Sequence, residues 1–333
     1  MLKMTGRERN LTASGAFAPA GEKAGEGRAE TMSSMRFLAV LNRDGGTLRT
    51  TDLDALARSM RETLEAHGHT LEVETVAGEE IAAALQRAAR RRNVDVVMAG
   101  GGDGTISAAA AALSGRDKAL AVLPAGTMNL FARGLGIPLG LEAAVAALAD
   151  GQVRQVDLAC VDDRIFIHQF SVGLHPKLIH LRDKMEFGSR LGKIRASLRA
   201  ALLILRRPPK LRAELALGNA TISVRASSIG ISNNLFGEGH LPYADMPDKG
   251  ELGIYVTRAW RPRDILRFAL HMAAGRWERN PEVEVHSSGS VTLRVKGKRK
   301  LQCAIDGELC DLAPVTHVRS LPAALRVVVP KPA

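Results

Sequence analysis

From residue 37 onward the chain switches between short apolar runs and stripes of apolar residues at helical spacing. Phe37 to Leu41 is a short apolar strand, and Leu53, Leu56, Ala57, Met60 and Leu64 recur at the intervals of one helix face. Leu71 to Val76 alternates apolar with polar, as a half-buried strand does, and Ile81, Ala84, Leu85 and Ala88 mark a second helix. Val94 to Ala99 and Leu120 to Leu123 predict further strands, with helices over Ile106 to Leu113 and Leu141 to Leu148. Strands alternating with helices predict a parallel sheet covered on both faces, a three-layer α/β domain over residues 35–153.

Past Val153 the pattern changes. Strand-like runs at Ile165 to Phe170, Leu211 to Leu217, Ala220 to Ile231, Leu252 to Val256, Val291 to Val295 and Leu301 to Ile305 are mostly separated by Gly, Pro, Asn or Asp clusters. That punctuation predicts a mostly antiparallel β-sandwich over residues 154–320. Helical stretches near 189–206 and 262–275 interrupt it. Leu325 to Val329 is a last strand, and residues 321–333 are candidates to return to the first domain. Residues 1–34, rich in Gly, Ala, Glu, Arg and Ser without periodicity, are expected to form a disordered tail, with Met32 and Met35 as alternative starts.

Composition narrows the classes. A chain of 333 residues suggests two domains, and 46% hydrophobic content supports a sizeable core. The formal charge of +11 implies an anionic partner: nucleotide, nucleic acid or an anionic membrane surface. Nucleic acid is disfavoured because no aromatic interleaving or recognition motif accompanies the charge. Cys160, Cys303 and Cys310 show neither CxxC spacing nor histidines at zinc-like intervals, which suits structural thiols in a reducing cytosol. No apolar run of eighteen residues or secretory leader is evident, so a cytoplasmic location is expected. Oligomeric state is not legible.

The sharpest motif is Gly100-Gly101-Gly102-Asp103-Gly104-Thr105, which follows a buried strand and opens a helix. Glycines permit close backbone approach, and a helix N-terminus offers free N–H groups to phosphate. Alone, this could be an ordinary strand-to-helix turn. A second loop, Leu123-Pro124-Ala125-Gly126-Thr127-Met128-Asn129, also follows a strand and precedes a helical segment. A third, Asn42-Arg43-Asp44-Gly45-Gly46-Thr47, follows the first strand. Parallel strands end on one edge, where ligands bind, so the three loops predict a nucleotide cleft. Its expected contacts are Asn42, Gly46, Thr47, Gly100, Gly101, Gly102, Gly104, Thr105, Gly126, Thr127 and Asn129. No GxxxxGK[ST] is present, nor a GxGxxG with a distant acid.

Gly100 to Thr105, together with Pro124 to Arg133 and Leu135-Gly136-Ile137-Pro138, resembles the diacylglycerol kinase catalytic family, which includes bacterial lipid kinases and sphingosine kinases. The glycine block is shared with NAD kinases; the second block is what favours lipid kinases. The resemblance runs from about Arg36 to Cys310 and is strongest over 94–138. It implies ATP and magnesium as cofactors, a lipid acceptor, and a second domain that receives the lipid.

Ala304-Ile305-Asp306-Gly307-Glu308 reads by itself as a hairpin turn, since Asp-Gly is the commonest hairpin signal. In the family resembled, the matching Asp-Gly-Glu supplies the carboxylate that activates the lipid hydroxyl. The resemblance therefore implies Asp306 as general base, with Glu308 supporting it. Phosphoryl transfer to an alcohol needs such a base within hydrogen-bond reach. Asp103 has three open roles: orienting the acceptor hydroxyl, positioning nucleotide or touching magnesium. Ser232-Asn233-Asn234 through Asp248-Lys249-Gly250-Glu251-Leu252 resembles a family segment that holds a magnesium-linked water network. Asp248 is its candidate metal residue, and Lys249 departs from the pattern. His175, in Phe170 to Pro176, is expected to be structural.

Between Arg190 and Arg212 there are eight Lys or Arg residues and no acid, beside a stripe of Leu191, Ile194, Leu198, Ala201, Leu202 and Leu205. The ordinary alternative is a packed helix with a solvated edge. In a lipid kinase the same run would suit peripheral attachment to an anionic membrane. The rival readings are a soluble NAD kinase-like enzyme and a non-catalytic lipid- or nucleotide-binding regulator.

Overall fold

The computed structural model describes residues 30–31, 33–183, 208–276, 279–297 and 301–332. Most of the expected tail and most of the basic run, with the helix expected near 189–206, lie outside these residues; the end of the tail forms a short strand at Glu30–Thr31.

After a two-residue strand, β1 (Glu30–Thr31), the first domain is built on four parallel strands, β2 (Arg36–Asn42), β3 (Thr70–Val76), β4 (Val96–Gly101) and β5 (Ala119–Pro124), in spatial order β3-β2-β4-β5. Both central strands β4 and β5 are buried along their whole length, as a sheet with helices on both faces requires. Helix α1 (Leu53–Ala66) starts where the Asp52 carboxylate accepts hydrogen bonds from the Asp54 and Ala55 N–H groups. It buries Leu56, Met60 and Leu64, a strict four-residue stripe. Truncating Met60 to Ala would cost about 2–5 kcal/mol. Helices α2 (Ile81–Arg90), α3 (Asp103–Leu113), α4 (Leu130–Gly134) and α5 (Leu141–Ala149) complete the layers. Ala109, Ala110 and Ala112 let α3 lie close on the sheet.

Strand β6 (Gln152–Val161) leads into the second domain, followed by β7 (Arg164–Phe166), β8 (Gln169–Gly173) and α6 (Leu174–Asp183). Then come β9 (Leu211–Leu217), β10 (Ala220–Ala226), β11 (Ser228–Asn233), β12 (Leu252–Thr257), α7 (Pro262–Ala273), β13 (Val283–Ser288), β14 (Ser290–Val295), β15 (Gln302–Ile305), β16 (Glu308–Asp311) and β17 (Val315–Val329). One sandwich layer is the sheet β13-β12-β11-β8-β15-β16. The other continues the parallel sheet, because β17 pairs with β5 in parallel and with β14 antiparallel. Phe170, Val172, Ile229, Ile231, Ile254 and Val256 fill the sandwich core against Ala213, Leu215, Val291 and Leu293.

Three strand expectations change in detail. The apolar stretch Ala220 to Ile231 divides at Ser227 into β10 and β11, which belong to different sheets. Ile165 to Phe170 likewise breaks at Ile167 and His168, between β7 and β8. The final strand begins at Val315 rather than Leu325, and runs beside β6 with a bulge between Leu321 and Leu325.

Asp157, only 2% exposed, pins that bulge. Its carboxylate accepts hydrogen bonds from Ala323 N at 2.9 Å, Asn234 Nδ2 at 3.0 Å and Gly250 N at 2.6 Å. A buried charge with three donors is a fixed joint, because losing any one donor leaves it undersolvated.

Candidate active site

The loops after β2, β4 and β5 converge and bond to one another. Thr47 N donates to Ala125 O at 2.8 Å, and Asn42 Nδ2 donates to Thr105 Oγ1 at 3.3 Å. Asn129, in a left-handed conformation at φ 49°, closes its loop with Gly126 through both amide atoms, at 2.8 and 2.9 Å. Thr127 is exposed beside it.

The glycines divide by what surrounds them. A Cβ on Gly100 would meet Leu41 at 2.5 Å, and one on Gly101 would meet Thr105 at 2.5 Å. One on Gly46 would strike Ala125 O at 1.8 Å, and one on Gly126 would lie 2.7 Å from Gly102 Cα. These four are small so that the loops can touch. Gly104 is different: nothing lies within 4 Å of its Cβ position, and it is exposed in the first turn of α3. The space in front of it is where the unpaired N–H groups of α3 are presented.

Asp103 joins two of these loops. Its Oδ1 accepts from Leu130 N at 2.8 Å and its Oδ2 from Asn129 N at 3.0 Å, so it caps α4 from outside. A carboxylate so engaged holds the second loop in position against the first turn of α3.

The hairpin turn between β15 and β16 carries Asp306 at φ 46° and Gly307 at φ 87°, so the turn reading of Asp-Gly is correct as local structure. The strained turn also aims the carboxylate across the domain boundary. Asp306 Oδ1 accepts from His168 N and Gln169 N, both at 3.0 Å. Its Oδ2 accepts from Ile167 N at 2.9 Å and from Ser107 Oγ of α3 at 2.7 Å. The break between β7 and β8 exists to supply these three N–H groups. Glu308 is mostly exposed and paired with Arg164 of β7. Asp306, Glu308, Arg164, Ser107 and Gly104 share the wall of one polar cavity of about 380 Å³. The residues expected on the phosphate loops and on the hairpin thus come together.

Asp248 does not join them. It pairs with Arg154 at 3.3 Å beside the Asp157 joint, and burial pushes its carboxyl above the usual range, with Asp157 adding to the effect. Among the described residues no three His, Cys, Asp or Glu side chains converge as a metal site. Lys249 contributes its backbone N–H to Asn234 Oδ1 at 2.9 Å.

Two features had no strong sequence signal. His168 stacks on Phe236 with centroids 5.6 Å apart, where the two domains meet. Burial depresses its basicity below the ordinary value of 6.5, against the opposing fields of Asp306 and Asp103. The ring is therefore neutral at neutral pH. The second feature is an apolar cavity of about 290 Å³ between the outer face of the β8–β11–β12 sheet and helices α6 and α7. Small residues, Ser171, Ser228 and Gly230, form its floor, and Phe268, Met272 and Leu178 form its roof. Gln169, whose carbonyl accepts from Asp306 N at 2.9 Å, lines its near end, with Ser171 Oγ 2.8 Å from His175 Nδ1 beside it. Burial pushes the Cys303 thiol up to about 11 and also raises that of Cys160.

Residues 36–161 match the diacylglycerol kinase catalytic domain model, and residues 190–329 match the YegS C-terminal NAD kinase beta sandwich-like domain model. A Citrobacter koseri protein named "Probable lipid kinase YegS-like" is 28% identical over 249 residues, covering 73% of this chain and 80% of that protein. An uncharacterised Synechocystis protein is 28% identical over 70% of this chain, which spans only 54% of that protein. The crystal structure of a diacylglycerol kinase from Bacillus anthracis superposes with a TM-score of 0.68 over 90% of this chain and 98% of that one, at 17% identity. At that identity the superposition speaks to fold alone. With both domain models matched in order along one chain of the expected architecture, the protein is a kinase that belongs to the diacylglycerol kinase catalytic family.

Proposed function

We propose that this chain transfers the terminal phosphoryl group of ATP to a hydroxyl of a diacylglycerol-like lipid. The observation that carries the reading is the meeting of three parts: the phosphate loops, the Asp306 carboxylate linked to them through Ser107, and an apolar cavity whose near end is Gln169. The loops Asn42–Thr47, Gly102–Thr105 and Gly126–Asn129 receive the nucleotide phosphates, with the α3 N-terminus as the main anion-stabilising element. The lipid chain lies under α7 and its hydroxyl reaches Asp306. Ser107 occupies the lone pair that the substrate hydroxyl would take, so binding exchanges one O–H donor for another. Asp306 then accepts the proton as the hydroxyl oxygen attacks phosphorus.

A second assignment of the base is favoured by one observation. Asp306 already accepts four hydrogen bonds, whereas the neutral His168 ring, stacked on Phe236 where the domains meet, belongs to the residue whose backbone N–H binds Asp306. A neutral imidazole at that point is chemically suited to take the proton, leaving Asp306 to position the backbone around it.

Magnesium, which the family implies, has no preformed set of protein ligands among the described residues, because Asp248 is held by Arg154 and both Asp103 oxygens cap α4. It would arrive with the nucleotide, where it would neutralise phosphate charge. Among the described residues no helix is long and apolar enough to cross a membrane. A cytoplasmic kinase that meets its lipid at the membrane surface fits this reading. The test is a radiolabelled ATP assay against a lipid panel in mixed micelles, with NAD as competitor acceptor. Phosphorylation of NAD but of no lipid by the folded protein would defeat the proposal.

A further inference from the structure

An open groove of about 740 Å³ lies at the end of β12, lined by Lys210, Arg212, Ser223, Arg225, Arg258 and Trp260. Its charges are arranged against the usual logic of a sheet. Arg212 of β9 and Arg225 of β10 are direct cross-strand partners, and like charges placed directly opposite destabilise a pair of strands. Among the described residues neither is paired with an acid, and the same holds for Lys210. Arg258 alone is compensated, by Glu284 at 2.5 Å, while nearby Glu214 is taken by Lys296 at 2.6 Å. Three unneutralised cations in one concave surface lower their mutual repulsion when an anion sits between them. Guanidinium forks suit phosphate oxygens in particular.

The groove and the apolar cavity are lined by residues that neighbour one another along the chain. Thr257 and Ser228 line the cavity, while Arg258 and Arg225, one and three residues away, line the groove. Trp260, with an apolar ring and a polar N–H, suits the boundary between headgroups and acyl chains. Two residues later α7 begins. Its inner face sends Phe268 and Met272 onto the cavity, and its outer face carries Leu266 and Leu270, 57% and 61% exposed at i and i+4. Both basic residues of that outer face have acidic partners: Arg263, 75% exposed, lies 3.6 Å from Asp264, and Arg267 is held by Glu282 and Asp264. Exposed leucines on the helix that follows a groove of unneutralised cations are the composition of an interfacial surface.

We propose that this groove docks the phosphate of an anionic membrane phospholipid, with Trp260, Leu266 and Leu270 entering the bilayer interface. The lipid-kinase reading is what makes a bilayer the partner, and docking there brings the rim of the cavity to the membrane that holds the acceptor. The test uses the full chain and vesicles of phosphatidylcholine with or without phosphatidylglycerol, read by co-sedimentation. Each cation near an anionic surface is worth roughly a five-fold change in partitioning, so R212S/R225S should weaken binding to the anionic vesicles by about 30-fold. Its thermal midpoint should hold or rise, since an opposed like-charge pair is removed, and its turnover of a short-chain soluble acceptor should be unchanged. L266S/L270S should weaken the binding that persists at high salt. Wild-type affinity of R212S/R225S for anionic vesicles would overturn the proposal. So would tighter binding of the wild type to duplex oligonucleotide than to vesicles, abolished by the same substitutions. Cation-dependent vesicle binding by a chain that phosphorylates no lipid would support the docking site and defeat the functional reading.

Discussion

Ser107 Oγ, in the helix that follows the glycine loop, donates to Asp306 Oδ2, in the hairpin of the other domain, at 2.7 Å. The two positions are 199 residues apart, and this bond couples the phosphate end of the cleft to the acceptor end. If the lipid hydroxyl takes over this position, Ser107→Ala should leave turnover within about ten-fold and cost about 1 kcal/mol of stability for the lost bond. Asp306→Asn should reduce kcat by about 100- to 10,000-fold. Asparagine is not a neutral replacement here. Its NH₂ would face a second donor in place of an acceptor, at Ile167 N or at His168 N and Gln169 N. The variant should therefore also melt earlier, and nucleotide affinity, measured by calorimetry, should be unchanged. Loss of ATP binding in step with the rate would mark Asp306 as a nucleotide or metal contact.

His168 separates the two assignments of the base. His168→Gln should lower kcat by about 100-fold or more if the imidazole takes the proton, and by less than about ten-fold if Asp306 does. The pH dependence of stability gives a second reading. Burial depresses the folded His168 below 6.5, so the unfolded chain binds the proton first as pH falls. The stabilisation is thus complete above about 6.5 and declines below it. Melting curves between pH 7.5 and 5 should show a steeper acid loss in the wild type than in His168→Gln. Parallel curves would mean the ring titrates normally.

Much of this architecture is legible in the chain because the first domain obeys local rules. Its central strands are buried on both faces and helices α1 and α2 carry unbroken stripes, so Met60 and Leu85 announce their places. The second domain is less legible where one apolar run serves two sheets: nothing in Ala220 to Ile231 except Ser227 marks the crossing. The glycine loops advertise the phosphate edge, yet only Gly104 stands free of protein contacts. The cavity floor escapes notice because its signal is an absence of bulk, Ser228 and Gly230 on alternate positions of β11 and Ser171 on neighbouring β8. His168 resembles any lone histidine until the fold stacks it on Phe236 and turns its backbone N–H onto Asp306. Asp157 is likewise silent, although three segments depend on it.

The loop glycines should respond differently to the same substitution. Gly104→Val adds a side chain to empty space in a helical turn, so the protein should fold normally and lose ATP affinity. Gly126→Val would force its Cβ to 2.7 Å from Gly102 Cα and should cost at least about 1–3 kcal/mol of stability. Loss of ATP binding by Gly126→Val is therefore uninformative without a melting curve, and Gly104→Val is the cleaner probe. Unchanged ATP affinity in folded Gly104→Val would place the nucleotide elsewhere.

The cavity under α7 allows a test of where the lipid chain lies. Gly230 faces it from β11, and a Cβ there would meet only the Tyr255 Cβ, at 4.0 Å. Leucine at this position would extend into the cavity without pressing on the backbone, so Gly230→Leu should fold and bind ATP as the wild type does. The added side chain would exclude several methylenes of an acyl chain. Each buried methylene is worth about 0.8 kcal/mol, so displacing three or four should lower kcat/KM for a long-chain acceptor by roughly 50- to 200-fold. A short-chain acceptor that never reaches Gly230 should lose far less, and the ratio between the two substrates is the diagnostic quantity. Substitution at a site outside the lipid path would lower both alike or neither. Equal kcat/KM values for wild type and Gly230→Leu on the long-chain substrate would remove this cavity from the lipid path. They would leave the polar cavity beside Gly104, Ser107 and Asp306 as the remaining route to the phosphate loops.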